Sequence, residues 1–448
     1  MVNGRTLVIA TWGQPASWRE ARYVLEDGSE VVEHCTTLPL LLRRYSDSDA
    51  VLLVLDSLID EYLGKLQDGR CSACYDRLRG AVREAANSTN YGELRERVRK
   101  FVIEMLRCLE IDGRVTVAVC PAVGRPGGQW AFHSSPRDYE AVSLAELGLN
   151  FLDRRYDRVV LDVSHGVNFM PSVALRVAER FAGLLLVAHG DERLVTLEVY
   201  NSDPYSRTDS VPELRLNLVA KEQIDSVRVP SHIPSKLISR KGPLEPSLAE
   251  MEDGLNNRYR DAVRLPLSAL YYPLPLALQY ALSQVQDSAL DVLKGAFRLW
   301  EGNVTVNLAR REVRSVFRLN PDAVYALLLV EAVRRRLGRP EYPARLEVLK
   351  RSEALYWAIN ESFYYLISNE LKLIEKSLEE RKPSRTLRLC ELYGEDCESG
   401  TPDKRVMIAH AGLQKEFVLL DPSNKQLCYT DDVENLLDRC GLQISQRD

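Results

Sequence analysis

The sequence of 448 residues predicts an α/β unit of Rossmann-like type, then a linker, then an all-α unit. Three observations carry this. Short β-rich apolar runs alternate with helix-patterned stretches through residues 1–205. Over 206–243 the pattern loosens, with Pro212, Pro230, Pro234 and Pro243 set among scattered charges. From 244 to 448 helical periodicity dominates. A chain of this length exceeds one ordinary core, so separate domains with these bounds are expected.

The runs Leu7 to Thr11, Ala50 to Leu55, Val115 to Cys120, Arg158 to Val163 and Leu184 to Val187 are short and bounded by loops, which suits buried strands of a largely parallel sheet. Tyr91 to Leu109 and Pro171 to Phe181 read as helices between them. Asp27-Gly28 is a turn signal, so Tyr23 to Glu26 and Glu30 to Glu33 form a hairpin. In the linker two short strands are expected, around Leu214 to Val219 and Ser226 to Val229. Further on, Asn320-Pro321-Asp322 opens a helix that Gly338 and Pro340 close. Ala344 to Arg381 contains almost no breaker and predicts one helix of roughly 55 Å at ~1.5 Å rise per residue. So long a helix calls for a partner, and a helical bundle that dimerises follows.

Hydrophobic residues make up 45% and charged residues 27%, the balance of a globular chain. The net charge of −5 excludes a protein that coats nucleic acid by bulk electrostatics, so any RNA contact must be local. The apolar run from Arg5 to Ala10 is too short for a signal peptide, and prolines break the stretch Leu265 to Leu282, so a cytoplasmic, membrane-free protein is expected. Cys71-Ser72-Ala73-Cys74 has the spacing of half a zinc site without a second half. Cys390 with Cys397, or Cys428 with Cys440, are spaced for disulfides of the kind that hyperthermophiles keep inside the cell.

In an open α/β sheet, ligands bind at the carboxyl ends of the strands. Three strand ends here carry suggestive residues: Thr11, Trp12 and Gly13 after the first, Asp56 and Ser57 after the second, and Ser164, His165, Gly166 and Asn168 after the fourth. The polar run at 164–168 combines small donors with a close-approach glycine, although a hydrogen-bonded turn would look similar. The dinucleotide fingerprint is absent after the first strand, which argues against NAD.

Near the other end stands Arg405-Val406-Met407-Ile408-Ala409-His410. Thr401 suits an N-cap, Pro402 the first helical position and Gly412 the C-cap, so the motif belongs to one short helix. An arginine offers a cation for phosphate and a histidine a proton carrier near neutral pH. Taken alone, the spacing is more often a helix-end cation and a partly buried histidine. Positions five apart are turned by roughly 140° on an ideal helix, so long side chains or a second copy must complete any site.

The stretch Arg405 to Leu413 resembles the terminal motif of HEPN-domain ribonucleases, in which an arginine, a polar residue, three more residues and a histidine form a metal-independent RNase site across a dimer. Val406 stands where that family usually has Asn, His or Asp. The Trp12-Gly13 turn, the Asp56-Ser57 strand end, the Ser164 to Asn168 run and Tyr200-Asn201-Ser202-Asp203-Pro204 together resemble the CARF domain of CRISPR-associated type III accessory ribonucleases. The resemblance implies that Thr11, Trp12, Gly13, Asp56, Ser57, Ser164, His165, Gly166 and Asn168 belong to a sensor of a cyclic oligoadenylate, with cyclic tetra-adenylate the expected ring. It also implies that Arg405 and His410 cut single-stranded RNA without metal in a homodimer switched on by that ligand. Two other readings stay open: a ligand-sensing regulator or scaffold whose HEPN domain is degenerate through Val406, and a CARF domain that itself degrades its ligand through Ser57 or His165.

Overall fold

The computed structural model describes residues 5–66, 69–190, 194–205, 211–243, 245–285, 288–397 and 401–447. Its N-terminal part runs β1 (Thr6–Trp12), β2 (Ala21–Leu25), β3 (Val31–His34), α1 (Leu38–Arg44), β4 (Ser48–Leu55), α2 (Arg70–Ala86), α3 (Tyr91–Cys108), β5 (Arg114–Cys120), β6 (Val123–Gly124), β7 (Ala131–His133), α4 (Pro136–Phe151), β8 (Arg158–His165), α5 (Met170–His189), β9 (Val195–Ser202), β10 (Glu213–Ile224), β11 (His232–Pro234) and β12 (Ile238–Arg240). The main sheet has the order β3-β2-β10-β9-β8-β1-β4-β5. β5, β4, β1, β8 and β9 are parallel, and β10 closes onto β9 antiparallel. Every residue of β1 and β4 is buried, which accounts for their unbroken apolar runs. The hairpin at Asp27-Gly28 forms as expected, Gly28 supplying the left-handed residue at φ 69°.

Three expectations fail here. Leu184 to Val187 is the end of α5 and not a strand, because that helix is buried nearly all round at this point and its periodicity vanishes. The strand beside β8 is β9, which was not anticipated. The stretch read as linker supplies twelve-residue β10 to the main sheet, so the α/β unit does not stop at residue 205. Ser226 to Val229 is not extended in a sheet, and the short strands lie instead at β11 and β12.

The rest of the chain runs α6 (Pro246–Tyr271), α7 (Pro275–Gln284), α8 (Ala289–Gly302), β13 (Val304–Asn307), β14 (Glu312–Ser315), β15 (Phe317–Leu319), α9 (Pro321–Leu337), β16 (Ala344–Arg345), α10 (Leu346–Arg351), α11 (Glu353–Trp357), α12 (Glu361–Arg381), β17 (Leu387–Arg388), α13 (Leu389–Tyr393), α14 (Lys404–Ala409), β18 (Val418–Asp421), β19 (Gln426–Tyr429), α15 (Val433–Arg439) and β20 (Ser445–Arg447). It is helical as expected, with a small antiparallel sheet β16-β19-β18-β17 added. α9 begins at Asn320, whose side chain accepts from Asp322 N, and stops at Gly338, φ 74°. The single long helix expected over Ala344 to Arg381 is broken into α10, α11 and α12. Ser352 ends α10, and Asn360 restarts the chain as an N-cap accepting from Ser362 N. Among the described residues no helix is long and apolar enough to cross a membrane.

The two units are joined over a wide front. α4 and α5 pack against α9. β14 pairs in parallel with β7, so a hairpin of the C-terminal half completes a four-stranded sheet begun in the N-terminal half. Arg95 on α3 reaches Glu146 and Glu301, each at 2.5 Å, with its guanidinium also donating to Val119 O. Disulfides join Cys35 to Cys71 and Cys74 to Cys108, so the two cysteines of the Cys71–Cys74 pair clamp α2 to different neighbours. Cys390 is bonded to Cys397, whereas Cys428 and Cys440 are free thiols.

Candidate functional site

At the carboxyl ends of β1, β4 and β8 the connections leave in opposite directions from the central strand, which opens a crevice in doubly wound sheets. Two adjoining cavities lie there and share Ser17. One, of about 380 Å³, is lined among others by Trp18, Arg19, Tyr23, Ser164, His165, Asn201 and Tyr205. The other, of about 430 Å³, is lined among others by Gly13, Gln14, Ser57, Asp60, Val167 and Asn168.

The run at the end of β8 is shaped by its own hydrogen bonds. Ser164 N donates to Asp162 Oδ1 at 2.9 Å, and Ser164 Oγ receives Ser202 N at 2.9 Å. Gly13 N donates to His165 O at 2.8 Å, which ties the turn after β1 to this run. Asn168 adopts φ 53° and is exposed ahead of α5. The His165 ring lies 5.0 Å from that of Trp18, and its Nε2 accepts from Thr37 N at 3.3 Å. Burial holds this imidazole below its ordinary pKa, opposed by Asp162 and reinforced by His34. Its charged form is therefore disfavoured, and with Nε2 accepting, the ring proton sits on Nδ1.

The expected residues divide. Ser164 and His165 line the first cavity, and Gly13, Ser57 and Asn168 the second, while Gly166 packs between Thr11 and Pro171. Thr11, Trp12 and Asp56 do not line either cavity. Thr11 is buried and donates to Asp162 O at 3.3 Å. Trp12 is 1% exposed and stands edge-on to Trp18 at 4.8 Å, so the second tryptophan of the loop, not the first, reaches the crevice. Asp56 is a strut: it accepts from Tyr91 OH and Ala122 N, each at 2.8 Å, and burial pushes its carboxyl up to about 7 against those bonds. Trp18, Tyr23, Asn201 and Tyr205 were not singled out as lining residues. For Asn201 a signal existed, since it stands in the Tyr200 to Pro204 segment that carries the CARF resemblance, and it is exposed where β9 ends.

The second candidate site lies on α14. Asp403, not Thr401, is its N-cap, accepting from Val406 N at 3.0 Å, and Pro402 lies outside the helix. His410 is the C-cap, and Ala411 and Gly412 continue in left-handed conformation at φ 50° and 76°. A side chain on Gly412 would press on Leu274 and the Tyr429 hydroxyl, which donates to Gly412 O at 3.0 Å. Met407 is buried and anchors the helix, leaving Arg405, Val406 and His410 exposed. Arg405 has no side-chain partner among the described residues. His410 Nδ1 donates to Glu370 Oε1 on α12 at 3.1 Å. A carboxylate can only accept there, so the proton is held on Nδ1, and Nε2 has no partner among the described residues. Nothing in the sequence linked residues forty positions apart, and Glu370 went unnoticed.

Comparison with known families places both regions. Residues 7–204 match the CARF domain of the CRISPR system endoribonuclease Csx1, and residues 360–431 match the HEPN domain of the same protein. The two together take in more than half of the chain. A CRISPR system endoribonuclease Csx1 of Methanocaldococcus jannaschii is 29% identical over 211 residues, which is 44% of this chain and 37% of that relative. The chain belongs to the CARF-HEPN class of CRISPR-associated Csx1 proteins.

Proposed function

We propose that this protein is a metal-independent endoribonuclease of antiviral defence, acting on single-stranded RNA in the cytoplasm and switched on by a cyclic oligoadenylate bound at the crevice over β1, β4 and β8. The observation that carries the reading is the juxtaposition on α14 of an exposed Arg405, without a side-chain partner among the described residues, with a His410 whose tautomer Glu370 fixes. RNA bears a 2′-OH beside each phosphate. His410 Nε2 takes the proton of that hydroxyl or gives one to the 5′ leaving oxygen, and Arg405 neutralises charge growing on the phosphorus centre. The products are a 2′,3′-cyclic phosphate and a 5′-hydroxyl. A homodimer places two copies of α14 in one cleft, which overcomes their angular separation. Exposed Leu373, one turn from Glu370 on α12, and exposed Val406 offer apolar surface for it.

The test is cleavage of labelled RNA in EDTA, with and without cyclic tetra-adenylate and cyclic hexa-adenylate. We expect cleavage of RNA and none of DNA or 2′-O-methylated RNA, with strong stimulation by the four-membered ring. Strict metal dependence would sink the mechanism. Metal-free cleavage indifferent to both rings would remove the sensor, and breakdown of a ring by the protein would favour a phosphodiesterase in the CARF domain.

Glu370 acts through His410 and not on the substrate. Glu370→Ala should lower kcat about ten-fold with KM nearly unchanged, and Glu370→Gln, whose amide oxygen still accepts from Nδ1, should recover much of the loss. A change confined to KM would reassign Glu370 to RNA binding.

A further inference from the structure

The two cavities differ in their walls. Trp18, Tyr23, His165 and Tyr205 set aromatic rings around the first, and the Arg19 guanidinium lies 5.5 Å from the centre of the Tyr205 ring. Some polar groups at its rim are already engaged. Ser164 Oγ receives Ser202 N, and the Asp203 carboxylate receives Arg215 N at 3.1 Å and Asn217 Nδ2 at 2.9 Å. Asn201 is not among them. It is exposed at the end of β9, and although its backbone carbonyl accepts from Asn217 Nδ2 at 3.4 Å, its side-chain amide has no partner among the described residues.

An amide presents one acceptor and one donor side by side, and it matches a flat edge that offers a donor beside an acceptor. Adenine has that edge, with the 6-amino group next to a ring nitrogen, and Asn pairs with it through two bonds. Aromatic walls favour a stacked planar base at the same place. We propose that the cavity lined by Trp18 and Tyr205 receives an amino-bearing purine and that Asn201 reads its edge, Oδ1 accepting from the 6-amino group and Nδ2 donating to the adjacent ring nitrogen. Arg19 then stands ready for the phosphate attached to that nucleoside. The assignment rests on the sensor reading above and makes Asn201 the residue that demands adenine.

Calorimetry on the full chain decides it, with cyclic tetra-adenylate and the same ring carrying unsubstituted purine in place of adenine. Loss of the 6-amino group leaves the amide oxygen unpaired, so the wild-type protein should bind the purine ring about ten-fold more weakly or worse. Asn201→Leu should bind the adenylate ring about ten-fold more weakly than wild type and should no longer distinguish the two rings. Tyr205→Ala should weaken both rings alike, since stacking ignores the amino group. Asn201 is exposed, so the fold is not at stake, and the comparison of rings on wild-type protein stands without any variant. Equal affinity of wild type for both rings, or an Asn201→Leu variant that binds as wild type does, would overturn the assignment alone. Failure of wild type to bind either ring would overturn the sensor reading and this assignment with it.

Discussion

Replacing His410 by alanine should reduce RNA cleavage at saturating activator by about 10²–10⁴-fold, the usual contribution of a positioned general acid or base. The side chain is half exposed, its Nδ1 is committed to Glu370, and no buried packing depends on it, so the fold should be untouched. Arg405→Ala should cost about 10²–10³-fold, by loss of charge stabilisation at the phosphate. Arg405→Lys should recover little, since a point charge does not reproduce a planar fork of donors. Single-turnover rates in EDTA separate these effects from RNA binding, and light scattering checks that both variants assemble as the parent does. Retention of activity in both alanine variants would exclude α14 from the chemistry. A monomeric His410→Ala protein would turn that residue into a structural one.

Loss of Arg95 should be the most destabilising single change of a charged residue in the molecule, about 3–5 kcal/mol. Its side chain is 4% exposed and faces two carboxylates, Glu146 and Glu301, the peptide oxygen of Val119, and the rings of Phe297 and Trp300 at 5.0 and 6.0 Å. Removing the cation strands both acids, one in each half of the chain, the mostly buried Glu146 and the partly exposed Glu301. Denaturant unfolding of Arg95→Met measures this, and adding Glu146→Leu and Glu301→Leu should restore most of the loss because no charge is then left uncompensated. Arg351→Ala is the contrast: its pair with Glu347 at 3.0 Å is more than half exposed on both sides and should be worth under about 1 kcal/mol. Equal effects of Arg95→Met and Arg351→Ala would show that the buried network contributes nothing.

Local signals carried far in this chain where local chemistry decides. β1 and β4 are apolar at nearly every position because both faces are covered, and the Asp27-Gly28 hairpin and the Asn320 cap are short-range geometry. Leu184 to Val187 was misread because four apolar residues in a fully buried helix look the same as four in a buried strand. β9 was missed because Glu198 interrupts it, and that carboxylate is tolerated only through Tyr45, Arg158 and Lys221, which arrive from elsewhere. The candidate site shows the same division. Ser164, His165, Gly13 and Asn168 were visible as polar or small residues at strand ends, whereas Trp18 and Tyr205 line one cavity only because loops far apart in sequence meet there. Trp12, Thr11 and Asp56 have the right chemistry at the right strand ends, but each faces inward, and direction is not written in residue type.

The pairing of β14 with β7 makes the two halves poor candidates for exchange as cassettes. A recombination crossover anywhere in 206–243 would separate β7 from the strand that completes its sheet; placed ahead of β10 it would also split β10 from the strands it lies between, and placed after β11 it would instead cut the β11–β20 pairing. CARF and HEPN parts joined in this way are therefore expected to be inherited together, with new specificities arising by substitution at the crevice and not by shuffling whole domains. In protein engineering, a chimera that grafts another CARF domain onto this HEPN domain must carry the β13–β14 hairpin with the HEPN part and reshape it to the new host.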